Sequence, residues 1–390
     1  MLDEQLISIQ GHHYEYIRSI KQIYEERGHK VLVYGNAEVA DNIAQTINAK
    51  PWFKFNAAPW YRTIPVLGAI AYRLIFWQLL RNQYRAAIAD VLSYEKNTVH
   101  FFVPNIYWYN TRPIFKAFKD VSHKSSFLIR SSVVELFDVP TNFRGFVKRM
   151  YSRIAKLVEG NANLQLVTDS DVIKEEWQAT YGNSVRTLPI PHVEAIVTNE
   201  IKNSDSERIV FYAPGVMRIE KGMPLIVSAL LHIDKNSKNL AQHIKFVVQI
   251  FGEREKAYFD DCRTQLKNLQ HVEVEVLGSL SSEAYHDAVA NADIILIPYQ
   301  AKQGYKARTS GVLCEAIGAC KPVITSKHTW MQVVCEQYNT GLAVQEDVLS
   351  LVEGMQQVAN HYDTFKQQAV VAQKAFLDFH SKDNFYALLD

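Results

Sequence analysis

Apolar positions along the chain fall into short runs separated by stretches of helical period, the pattern of strands alternating with helices. The run IILIP at 294–298 reads as a strand, and the stretch from Tyr305 to Thr325, YKARTSGVLCEAIGACKPVIT, reads as loop, helix and strand. Thr309 or Ser310 caps that helix, Gly311 sits in its first turn, Lys321-Pro322 ends it, and Val323 opens the next strand. Residues 208–229, RIVFYAPGVMRIEKGMPLIVSA, repeat the order of strand, glycine-containing loop and amphipathic helix. Between the two segments lie FVVQIFG at 246–252 and VEVEVLG at 272–278, each a strand ending in glycine. In the first half, a strand at 6–9 leads through Gly11-His12-His13 into a helix at 14–27, which Gly28 ends before a strand at 29–34. Further strands are predicted at 98–103, 126–129, 164–168 and 184–188. The fold class is α/β, with two Rossmann-like domains.

A chain of 390 residues suits two domains, each able to bury its own core. The polar run TNEIKNSDSE at 198–207 is the linker candidate. It divides the chain into a first domain at 1–200, a second at 201–363, and a closing helix at 364–390 expected to return to the first domain. The four cysteines form no CxxC and no Cys/His cluster, so they read as reduced packing residues and no metal site is expected. The opening residues carry two acids and only a short apolar patch, unlike a secretory signal, and no uncharged apolar run is long enough for a membrane span. A cytoplasmic protein is expected. GxGxxG is absent, which argues against a dinucleotide cofactor.

The formal net charge of +1 hides a partition. Residues 50–156 hold 17 Lys and Arg against 5 acids and four of the six tryptophans, and the rest of the chain is net acidic. Basic residues interleaved with aromatics suit an anionic surface with an apolar layer beneath it. Two stretches carry the pattern. PVLGAIAYRLIFWQLL at 65–80 reads either as a core helix or as an interfacial one. FRGFVKRMYSRIAK at 143–156 places Arg144, Lys148, Arg149 and Arg153 on a helix with Phe143, Phe146, Val147 and Met150. Peripheral contact with a membrane through residues 50–156 is therefore expected. Nucleic acid is not expected as a partner, because no recognition-helix, RNP-type or zinc-finger pattern occurs.

The two glycine-containing turns carry the chemistry. A helix opening on Ser310-Gly311 offers unpaired backbone N–H groups and a positive dipole end with no large side chain in the way, which suits a diphosphate. Arg218 and Lys221 in the earlier loop can pair with phosphate oxygens, and Glu315, about one turn into the helix, can accept hydrogen bonds from ribose hydroxyls.

The order of these pieces over residues 207–345 resembles the C-terminal half of retaining glycosyltransferases of the GT-B fold, family 4 type (glycosyl transferases group 1). The resemblance implies two Rossmann-like domains facing a cleft and a nucleotide-diphosphate sugar as donor substrate, without a cofactor or metal ion. It places the diphosphate on Gly215, Arg218, Lys221, Ser310 and Gly311 and the ribose on Glu315. That family usually has two glutamates eight residues apart. Here the first position is Ala307, so donor-sugar contacts shift to Arg308 and Thr309, with Lys306 as a further cation in the same loop. The acceptor implied is a glycan or a lipid-linked glycan of cell-envelope polysaccharide or lipopolysaccharide biosynthesis, glycosylated at the inner face of the cytoplasmic membrane. The catalytic base is not identified; His12 and Glu135 are candidate catalytic residues, and so is Arg130, which stands where the family often has a histidine lining the donor sugar. An inverting transferase, a catalytically inactive paralogue acting as partner or sensor, and a nucleotide-sugar epimerase remain as alternatives.

Overall fold

Strands that are apolar on both faces, alternating with amphipathic helices, give this chain two parallel sheets covered by helices. The computed structural model describes residues 1–8, 12–54, 66–95, 97–136, 139–182, 184–196, 208–216, 218–252 and 255–390, with the backbone alone at residues 12 and 66–74. The described residues form two compact units, Met1–His192 with Ser381–Asp390, and Val193–His380.

The first unit contains α1 (His12–Glu25), β1 (Val33–Asn36), α2 (Asp41–Thr46), β2 (Ala49–Phe53), α3 (Val66–Tyr94), β3 (His100–Ile106), α4 (Thr111–Phe118), β4 (Lys124–Ile129), α5 (Arg144–Glu159), β5 (Leu164–Thr168), α6 (Asp171–Tyr181) and β6 (Arg186–Thr187). Strands β3, β4, β5 and β6 lie in that order, and β1 pairs with β2, all in parallel. Leu2 joins the two sheets, since its N–H donates to the Phe102 carbonyl while the Tyr34 N–H donates to the Met1 carbonyl. The strand expected at 6–9 is therefore replaced by a bridge at Leu2. The carbonyls of Leu6 and Ile7 instead accept from Asn36 and Ala40, and residues 9–11 lie outside the described residues.

The second unit contains β7 (Ile209–Ala213), α7 (Met223–Asn236), α8 (Lys238–His243), β8 (Ile244–Gln249), α9 (Lys256–Lys267), β9 (Glu273–Leu277), α10 (Ser282–Asn291), β10 (Ile294–Ile297), α11 (Gly311–Gly318), β11 (Val323–Ser326), α12 (Trp330–Tyr338), β12 (Gly341–Val344), α13 (Val348–Asn360) and α14 (Tyr362–Phe379). Its sheet runs β12-β11-β10-β7-β8-β9, all parallel. Phe211, Phe246, Val248, Ile294, Leu296 and Ile324 pack one sheet face against α7 and α13, while Tyr212, Ile295, Ile297 and Val323 bury the other. Side-chain caps start the helices where the sequence supplies them. Ser281 accepts from Ala284, Thr329 from Gln332 and Asp347 from Ser350.

The closing segment divides in two. Helix α14 stays with the second unit, packing Phe376 against Tyr338. Only the last helix, α15 (Lys382–Leu389), belongs to the first unit, where Phe385 and Leu389 join Tyr16, Ile20, Phe102 and Leu128. The return to the first unit thus begins near Ser381 and not at 364, and most of the linker candidate lies outside the described residues. The stretch predicted at 65–80 extends through α3, and its described inner positions Phe76, Leu80, Tyr84, Ala87, Ile88 and Val91 are buried, as in a core helix. Among the described residues no helix is long and apolar enough to cross a membrane.

Close approach and backbone angle together dictate the glycine at 222. Gly222, at φ +83°, opens α7, and a Cβ there would lie 2.2 Å from the carbonyl oxygen of Pro298. Gly222→Ala is expected to destabilise the protein by about 3 kcal/mol, combining left-handed strain with a backbone clash. Gly278→Ala, whose Cβ would meet nothing within 4 Å, should change little. Chemical denaturation of both variants checks the contrast.

Candidate functional site

In the second sheet the strand order reverses beside β7. β8 and β9 build outward on one side, and β10, β11 and β12 on the other. The loops leaving the carboxyl ends of β7 and β10 therefore emerge side by side and diverge, and a crevice opens at such a switch point. Residues 214–222 follow β7 and residues 298–310 follow β10, so the two segments singled out in the sequence meet there.

The β7 loop is set by a buried amide. Gln249, at the end of β8, accepts from the Gly215 N–H at 2.8 Å and donates to the Gly278 carbonyl at 3.1 Å. Gly215 takes φ +89°, and a Cβ there would lie 3.6 Å from the Lys221 Nζ and 3.8 Å from Val312 of α11. Arg218 precedes a single turn at residues 219–221 and stands 3.7 Å from Glu220. Lys221 is half-buried, with its Nζ 5.3 Å from the centre of the Tyr299 ring. Burial, followed by the charge of Arg218, lowers the Lys221 pKa to about 8; Arg308 adds to this, while Glu220 and Glu315 oppose it.

The β10 loop ends in the cap of α11, where the Ser310 Oγ accepts from the Leu313 N–H at 3.3 Å. Gly311 follows with open space where a side chain would stand. Glu315 lies about one turn further in, half-buried, and accepts a hydrogen bond from the Tyr285 hydroxyl of α10. Burial raises the Glu315 pKa, and the Tyr285 hydrogen bond, His286 and Lys221 work against that rise. Arg308 is exposed over the Tyr305 ring at 5.3 Å, Thr309 is half-buried, and Ala307, in the position of the missing glutamate, is buried.

Gly215, Arg218, Lys221, Ser310, Gly311, Glu315 and Arg308 are thus gathered at one crevice. Sequence reasoning missed Gln249, Tyr285 and Tyr299. The signal for Gln249 was a polar residue closing an otherwise apolar strand; the two tyrosines carried none, because their partners lie in other segments.

The three candidates of the first unit fare differently. The His12 side chain lies outside the described residues. The Nε and Nη2 of Arg130 both donate to Asp169 at 2.8 Å, and its guanidinium covers the Tyr16 ring at 4.2 Å. Glu135 is half-buried, and its backbone N–H donates to Ser132. The neighbouring His13 does enter a polar cluster, with its Nδ1 2.9 Å from Asp3 and 2.8 Å from the Asn105 amide.

The electrostatics set a pH dependence. A lysine lowered to about 8 is charged below that pH and neutral above it, and a bound diphosphate stabilises the charged form. Affinity for a nucleoside diphosphate is expected to fall as pH rises above about 8, by up to tenfold per unit. In Lys221→Met, binding should be weaker and flat across the same range. Calorimetric titration from pH 7 to about 9.5 checks both.

Residues 197–375 match the family model of glycosyl transferases group 1. No curated protein matches the sequence. Among solved structures, a glycosyltransferase from Rickettsia africae is similar with a TM-score of 0.69 at 13% identity, covering 99% of this chain and 95% of that one. A sucrose-phosphate synthase from Thermosynechococcus elongatus reaches 0.65 at 13% identity, covering 100% and 95%. Anabaena HepE in complex with UDP and glucose reaches 0.65 at 12% identity, covering 99% and 97%. At such identities the structural likeness is one of fold, and the family match reaches the unit that holds the crevice. The chain has the GT-B fold, its second unit carries a glycosyl transferases group 1 domain, and the protein is a glycosyltransferase.

Proposed function

We propose that the enzyme moves a sugar from a nucleotide-diphosphate sugar to a glycan or lipid-linked acceptor, with retention at the anomeric carbon and no metal ion. The observation that carries this reading is the meeting of Lys221, Arg218 and the N-terminus of α11 at the switch point, opposite a carboxylate at Glu315. The bond from the anomeric carbon to the β-phosphate oxygen breaks, a bond to the acceptor oxygen forms, and the proton of that hydroxyl passes to an oxygen of the departing diphosphate. The charge gathering on the departing diphosphate falls on Arg218, Lys221 and the unpaired N–H groups beyond Ser310, which are in place before reaction. Glu315 holds the ribose, and Arg308 and Thr309 face the sugar. The basic, aromatic-rich stretch at 50–156 supports an acceptor of the cell envelope and a site of action at the inner face of the cytoplasmic membrane. The buried Ala307 in place of a carboxylate favours one second reading, an inverting transferase.

A thermal-shift titration with UDP, GDP, ADP, dTDP and CMP tests the donor site in the protein and in Glu315→Ala. UDP is the first candidate because HepE is described with it. One diphosphate is expected to stabilise the native protein by about 2.7 kcal/mol at a hundredfold excess over its Kd. Loss of hydrogen bonds to a charged carboxylate should weaken that binding tenfold or more in Glu315→Ala. No shift with any nucleotide would sink the proposal. With the donor known, the anomeric configuration of the product separates retention from inversion.

A further inference from the structure

Helices α4 and α5 of the first unit leave a groove of about 500 Å³ between them. Its apolar lining includes Phe115, Phe146, Met150 and Ile154. Its rim is cationic: Arg112, Lys116 and Lys119 come from α4 and the residue just after it, and Arg149 and Arg153 from α5. Within each helix the cations recur at i and i+4, a spacing at which like charges repel.

Among the described residues, the ion pair recorded at this rim is that of Lys119 with its exposed neighbour Asp120 at 3.4 Å. The charge of Arg112, more than burial, lowers the Lys116 pKa, with Arg81 and Lys119 adding to it. One wall is rigid. Trp77 of α3 donates its Nε1–H to the Tyr109 carbonyl at 2.8 Å and stacks on Phe146 at 5.8 Å, and the Arg112 guanidinium stands 5.0 Å from the Trp77 ring.

A groove with an apolar floor and two rows of cations, of which Lys119 has a recorded carboxylate partner, matches a ligand that is anionic at one end and aliphatic at the other. A nucleic acid fits it less well, because Phe146 is already stacked on Trp77, Phe115 is packed against Phe127, and Met150, Ile154 and Leu157 offer bases no ring. We propose that this groove binds an anionic phospholipid, its phosphate between the cation rows and an acyl chain along the floor. The inference rests on the reading of the enzyme as one that works at a membrane surface, and it narrows that surface to a single built site.

The test uses the full chain and vesicles of phosphatidylcholine with and without about one-third phosphatidylglycerol, read by flotation. The protein is expected to bind only the anionic vesicles. Arg149→Glu with Arg153→Glu should weaken binding at least tenfold, since each basic residue at an anionic leaflet contributes a several-fold factor. Lys148→Glu with Lys156→Glu, on the same helix but off the groove lining, should weaken it far less. The difference in tryptophan fluorescence between the protein and Trp77→Phe then reports occupancy by monomeric dihexanoyl phosphatidylglycerol, against dihexanoyl phosphatidylcholine and inorganic phosphate. A response to the anionic lipid alone supports the site. An equal response to phosphate assigns an anion site, and an equal response to the neutral lipid an apolar groove; either overturns the proposal. So does equal loss in the two double variants, or no binding to anionic vesicles. Nucleotide titration of the same variants reads the second unit separately, so failure of the donor site cannot be mistaken for failure of the groove.

Discussion

The close approach of two loops at the carboxyl ends of β7 and β10 is the constraint on which the crevice of the second unit depends. The strands pair directly, Phe211 with Ile294 and Tyr212 with Ile295, although all of β8 and β9 intervenes in sequence. Pairing at that distance brings residues 214–222 against residues 298–310, and the contact closes only because Gly222 has no Cβ to strike the Pro298 carbonyl. The position of Lys221 beside Tyr299, and of Gly215 beside Lys221 and Val312, follows from it. A residue with a side chain at 222 would separate the cation from the helix N-terminus with which it shares the crevice.

Once the loops meet, the balance of charge decides what the crevice favours. Lys221 is partly removed from water beside Arg218, and both the desolvation and the like charge disfavour its ammonium form. The nearby carboxylates offset little of this, since Glu220 stands at Arg218 and Glu315 is engaged by Tyr285. The N-terminus of α11 adds a partial positive charge. Binding an anion relieves all three at once. Glu315 does not cancel the effect, because it sits about a turn deeper, bonded by the Tyr285 hydroxyl.

The alternation of strands and helices made the second unit legible almost element by element. The meeting of its two loops was legible too, because the residues that meet at a switch point are those directly following strand ends, and those positions can be read from the pattern. The losses have physical causes. The expected strand at 6–9 has apolar residues, yet Leu2 makes the bridge between sheets, and bridging depends on partners from β1 and β3 that local pattern does not contain. The division of the closing segment near Ser381 depends on which surface each helix buries, and both helices carry apolar faces. Tyr285 reaches Glu315 from 30 residues away, and the α4–α5 groove joins residues from two helices that share no motif.

The first unit shows how burial settles the role of a polar residue. Asp3, Glu4, Asn105, Asn110 and Asp169 are all buried around the carboxyl ends of its strands and their flanking turns. Each has a partner: Tyr84 and Asn110 bond Glu4, His13 and Asn105 bond Asp3, and Arg130 bonds Asp169. Burying such groups unpaired is costly, so these bonds hold the cluster together. Arg130 is the clearest case. To reach a substrate, its guanidinium would have to leave Asp169 and the Tyr16 ring, stranding a buried carboxylate at a cost of about 3–5 kcal/mol. Arg130 therefore holds the end of β4 to the end of β5, and a residue that takes or gives a proton to an acceptor must come from a group not locked in this way.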